Sequence, residues 1–104
     1  MIINDKNFKK EVIEKSKEIL IVVDFWAEWC VPCLSLSPIL EEVIKDFKGK
    51  FKLIKINIKK APKSSKEVMS IPNVKIFKEG KVIDEFIGVK SEDFIKKWLN
   101  KNLK

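Results

Sequence analysis

Apolar residues recur along this chain at two periods, and the switches between them mark its elements. Ile2-Ile3 reads as a short first strand, after which Asn4 or Asp5 can cap a helix carrying Phe8, Val12 and Ile13 on one face. The mostly apolar run from Ile19 to Trp26 predicts a buried strand, centred on residues 19–25. Leu36, Leu40, Val43 and Phe47 follow at spacings of four, three and four, which predicts a helix from about Cys33 to Phe47, ending near Gly49. Residues 51–58 carry Phe51 and Leu53, then Ile54, Ile56 and Ile58, the pattern of a central strand partly buried on both faces. Pro62 predicts the start of a short helix through Met69. Residues 74–77 and 82–87 form a predicted hairpin through Glu79-Gly80, and Ser91 caps a last helix with Phe94, Ile95, Trp98 and Leu99 inward. Strands separated by helices and closed by a hairpin predict an α/β domain, a central mixed β-sheet flanked by helices on both faces.

The two cysteines of the chain lie together in Trp29-Cys30-Val31-Pro32-Cys33, where the predicted strand gives way to the predicted helix. A C-x-x-C pair at such a junction is the pattern of a dithiol that cycles with a disulfide. A structural zinc site needs four Cys or His ligands, and with two Cys and no His a second chain would have to complete the shell. A purely structural role is weak, because closing so short a loop removes little unfolded-state entropy. Pro32 suits a first helical turn. Cys30 then sits at the helix N-terminus, where unpaired N–H groups favour the thiolate and lower the pKa. Cys33, one turn along, is near enough to resolve a mixed disulfide formed on Cys30.

Length and composition set the frame. The chain has 104 residues, 45% of them hydrophobic, which fits a single domain over residues 1–104. The N-terminus lacks the apolar core and small-residue cleavage site of a secretory signal, and no apolar run approaches the roughly 20 residues that span a bilayer. A cytoplasmic location is therefore expected, and a reducing compartment suits a dithiol whose active form is reduced. The formal net charge is +7, carried entirely by Lys among the basic residues. Basicity can mark nucleic-acid binding, but these lysines are scattered among 15 acidic residues without an Arg stripe, which favours a solvated surface of thermophilic type. Arg, His, Gln, Thr and Tyr are all absent, a bias that fits either extreme natural composition or a simplified, engineered sequence.

The stretch from Val23 through Asp24, Trp26 and Trp29 to Cys33 resembles the active-site segment of the thioredoxin family, whose usual motif is W-C-G-P-C. The resemblance continues along essentially the whole chain. Pro38 falls at the family's helix kink, Lys55-Ile56-Asn57-Ile58 at its central strand, Ile71-Pro72 at its cis-proline loop, and residues 77–82 with Gly88 at its closing hairpin. It implies the thioredoxin fold and a protein disulfide reductase, with no bound cofactor and no metal. Its partners would be disulfide-containing proteins and, as electron donor, a thioredoxin reductase; it would work as a monomer, off the membrane.

Site roles follow from the same resemblance. Asp24 interrupts an apolar strand run, so it is expected to be partly buried with a raised pKa, or else to reach solvent or an N–H from the strand end. The family's aspartate at this position lies beneath the second cysteine as its proton acceptor and donor, and Lys55 matches the lysine that pairs with it. Trp29, Val31, Pro32, Ile71, Pro72 and Gly88 would bind the substrate, with the residue before the cis-proline offering its backbone to an extended segment. Four departures stand out. Val31 replaces the usual glycine and Leu34 the usual lysine, making the rim more apolar and removing a cation; Asn73 replaces the usual threonine; and the loop between Asn57 and Pro72 is short. Two other readings stay open at this stage. One is an oxidase or isomerase resembling the thiol-exchange domains of protein disulfide isomerase; the other is a binding module or engineered scaffold with residual redox activity.

Overall fold

The computed structural model describes residues 2–103. Four strands, β1 (Leu20–Trp26), β2 (Phe51–Asn57), β3 (Asn73–Lys78) and β4 (Lys81–Ile87), form one sheet in the order β2-β1-β3-β4. β1 runs parallel to β2 and antiparallel to β3, which in turn pairs antiparallel with β4. Two helices, α1 (Val31–Lys45) and α2 (Glu92–Lys101), accompany an N-terminal helical segment that passes from a wide turn, Lys9–Glu14, into a tighter one, Lys15–Lys17.

The unbroken apolar run of β1 is explained by its position: it lies between two strands and is covered on both faces. Val22 points into a core built by Leu36, Leu40 and Val43 of α1 and Ile95, Trp98 and Leu99 of α2. Ile21, Val23 and Phe25 point the other way, against Val12, Ile56, Ala61 and Phe77. The mixed sheet covered on both faces is thus the one expected from the sequence.

Four expectations need correction. Ile2-Ile3 is not a strand: the Asn4 side chain accepts from the N–H groups of Lys6 and Asn7, and Asn7 donates to the Ile2 carbonyl, so side chains engage the backbone on either side of Ile3, the one buried residue of the pair. Consequently β2 is an edge strand rather than a central one among the described residues. No helix follows Pro62; residues 62–67 form successive turns, because Asp5 reaches across to accept from the N–H groups of Lys63 (3.1 Å) and Ser64 (2.8 Å) and from the Ser64 hydroxyl (2.8 Å). Desolvation opposes ionisation of Asp5, yet these hydrogen bonds outweigh it and hold the carboxyl below its usual range. Phe94 lies outside the core, packed edge-to-face on Phe86. The remaining inward residues of α2 are buried, and Ser91 caps the helix by accepting from the Phe94 N–H at 3.1 Å.

The hairpin turns through Glu79 and Gly80, both at positive φ (52° and 82°), the combination a two-residue turn needs to match strand twist. A Cβ on Gly80 would meet Ile13 at 3.6 Å, an ordinary contact, so Gly80→Ala tests the backbone alone. It should destabilise the protein by about 1 kcal/mol, measured as a lower urea midpoint at unchanged m-value.

Candidate active site

The site is assembled where β1 ends and α1 begins. Cys30 is the N-cap of α1 in extended conformation, its Sγ accepting from the Cys33 N–H at 3.2 Å, and Pro32 occupies the first turn, where a missing N–H costs nothing. Cys30 and Cys33 are joined by a disulfide with Cα atoms 5.3 Å apart. Both are buried, Cys33 at 1% exposure and Cys30, the outer one, at 5%. Around them the surface is apolar and open: Trp29, Val31 and Leu34 are 65%, 70% and 52% exposed, and Pro32 is exposed beside them.

The facing loop closes the site. Ile71-Pro72 is cis, and Ile71 packs against the small cluster of Ala27, Cys30 and Cys33. Gly88, at φ 89°, donates its N–H to the Pro72 carbonyl at 2.9 Å and so ties this loop to the end of β4. Ile71 itself makes no backbone hydrogen bond among the described residues, which leaves its N–H and C=O for an incoming strand. Asn73, buried next to the cis bond, donates to Glu85 at 2.9 Å.

Asp24 lies on β1, two residues before the strand ends. It is fully buried, and neither carboxylate oxygen has a hydrogen-bond partner among the described residues. Desolvation pushes its pKa up to about 6; the positive charge of Lys55 pulls against this and the negative charge of Glu41 adds to it. The strand-end alternative, a carboxylate reaching solvent or an N–H, is therefore excluded. Lys55 stands beside Asp24 in the β1–β2 register, but the expected pairing is not made. Its Nζ donates instead to Glu41 Oε1 at 2.7 Å and Ser37 Oγ at 2.9 Å, since an ammonium group half in water is better served there than in the dry space around Asp24. A cavity of about 100 Å³ lined by Trp26, Cys33, Leu34, Ser37 and Lys55 opens between the inner cysteine and this ion pair, with room for water.

All ten residues singled out from the sequence thus fall in one region, except that Lys55 turns outward. Ser37 and Glu41 were missed, although their i, i+4 spacing on the predicted helix already placed them on a common face. Among the described residues no group of three His, Cys, Asp or Glu side chains converges on a point that would hold a metal.

Comparison with known proteins agrees with the geometry. The thioredoxin family model matches residues 1–101. The chain is similar to thioredoxins of Rickettsia felis (42% identity over 103 residues, 97% of this chain and 96% of that one) and Rickettsia conorii (42% over 101 residues, 95% and 94%). It is also similar to a thioredoxin of Chlorobaculum thiosulfatiphilum (37% over 101 residues, 95% and 92%).

Proposed function

Because this chain belongs to the thioredoxin family and is a thiol–disulfide oxidoreductase of the Cys30/Cys33 pair, we propose that it works from the dithiol state, in the cytoplasm, as a reductant of exposed disulfides in other proteins. The observation that carries this reading is the Cys30–Cys33 disulfide at the N-terminus of α1, in a chain whose β1 also buries a carboxyl group without a hydrogen-bond partner among the described residues.

In the reduced protein the helix N-terminus favours the Cys30 thiolate. That thiolate attacks one sulfur of a substrate disulfide held against Trp29, Val31 and the Ile71 backbone. A Cys30–substrate disulfide forms, and the other substrate sulfur leaves as thiolate. Asp24, as carboxylate, takes the proton of the Cys33 thiol, and Cys33 attacks Cys30. The Cys30–Cys33 bond forms, the second substrate sulfur departs as a thiolate that takes up the proton held by Asp24, and two electrons have passed to the substrate. A thioredoxin reductase restores the dithiol. Wide exposure of the rim, rather than a deep pocket, supports a macromolecular substrate.

The helix-terminus argument has its own test. Pro32→His places an imidazole beside Cys30, where it stabilises the reduced thiolate, so the potential against glutathione should rise by about 30 mV or more, a tenfold change in the equilibrium. A value equal to or below the parent's would show that local charge does not control the site.

A further inference from the structure

The groove between α1 and β2 holds three polar groups with no part in the reaction so far: Ser37, Glu41 and the Lys55 that they bind. We propose that Glu41 and Ser37 are positioning residues for the proton step, docking the Lys55 ammonium outward and so setting the proton affinity of Asp24. The inference rests on Asp24 being the proton acceptor for Cys33.

The geometry permits two placements of one cation. Asp24 and Lys55 are register partners on adjacent strands, so the lysine stem starts beside the buried carboxyl group. Its head, however, is held by a carboxylate at 2.7 Å and a hydroxyl at 2.9 Å. Both members of the Lys55–Glu41 pair are nearly half exposed, and an ion pair of that kind is weak, because solvent screens it and two long side chains must be ordered. Lys55 can therefore leave it at small cost. Among the described residues, no other cation acts on Asp24. Beside it stand Lys55 from β2 and the apolar Val74 from β3, and Glu41 from α1 is the other charge that acts on it. Lys75, displaced by one position on β3, is tied to Glu85.

While Lys55 is docked, Asp24 keeps its proton more tightly, and the carboxylate that would deprotonate Cys33 is scarcer at neutral pH. When Lys55 swings inward, the carboxylate is stabilised. Glu41 and Ser37 thus bias the step without touching sulfur.

The test is a carbon-13 carboxyl titration of Asp24 in the oxidised protein. Glu41→Gln should lower the midpoint by about one pH unit, Ser37→Ala should lower it by less, and Lys55→Gln should raise it. In the Lys55→Gln background, Glu41→Gln should lose more than half of its effect, since its lever is gone. An equal effect with and without Lys55 would mean that Glu41 acts only through its own field and would overturn the proposal, as would an unmoved midpoint. The pH profile of substrate release should follow the titration. If Asp24→Asn leaves that profile unchanged, the role of Asp24 as proton acceptor fails, while the titration still judges the docking of Lys55.

Discussion

Cys33→Ser protein mixed with a disulfide substrate should accumulate a covalent adduct on Cys30, whereas Cys30→Ser should form none and lose disulfide reduction altogether. The asymmetry follows from position. Cys30 caps α1 and is the outer sulfur, while Cys33 is almost completely enclosed, so only Cys30 presents a nucleophile to a large partner. Without Cys33 the mixed disulfide has no intramolecular resolving thiol, and its lifetime is set by slow attack from solution. Mass spectrometry of the intact protein and of its cysteine-containing peptide reads the result directly. An adduct on Cys33 in the Cys30→Ser protein would reverse the assignment.

Asp24→Asn should make the protein both more stable and slower. The folded-state pKa of Asp24, pushed up to about 6 by burial, lies above the ordinary value of 3.8. A group raised on folding favours the native state fully below the lower value and loses that contribution as pH rises through the upper one. At about 1.4 kcal/mol per pH unit, the native state therefore carries a penalty of about 3 kcal/mol above pH 6, and almost none near pH 4. Asparagine removes the charge but still buries an amide. The gain should be about 2 kcal/mol at pH 8, should pass through zero between pH 6 and pH 4, and should become a small loss at pH 4, as measured by urea unfolding of the oxidised proteins at pH 8, 6 and 4. At neutral pH, release of substrate from the mixed disulfide should slow on the order of 10²-fold, the low end of what a positioned base contributes. Lost stability with unchanged turnover would reduce Asp24 to an ordinary structural residue.

The parts of the fold that could be read from the residues are those governed by neighbours in the chain. The buried β1, the hairpin at Glu79-Gly80 and the Ser91 cap all appear where periodicity and turn chemistry put them. α1 differs at its ends by about two residues, beginning at Val31 because Cys30 itself provides the cap. The errors are instructive in the same terms. Ile2-Ile3 has strand propensity, but Asn4 and Asn7 use the nearby backbone groups first. Pro62 is a good helix start, yet the donors behind it are captured by Asp5, 59 positions away from Ser64.

The sequence by itself determined the chemistry: two sulfurs three residues apart, a proline within the same turn and an acid in an apolar strand, each set by local geometry and composition. Only the tertiary structure decided the environment of that chemistry. The isolation of Asp24 requires both faces of the sheet to be covered. The direction in which Lys55 points depends on Glu41, which lies 14 residues away and is brought near only when α1 packs on β2. Desolvation and charge placement are properties of the packed molecule. For a carboxyl group whose protonation depends on both, the chain pattern identifies the residue, and the fold sets the pH at which it ionises.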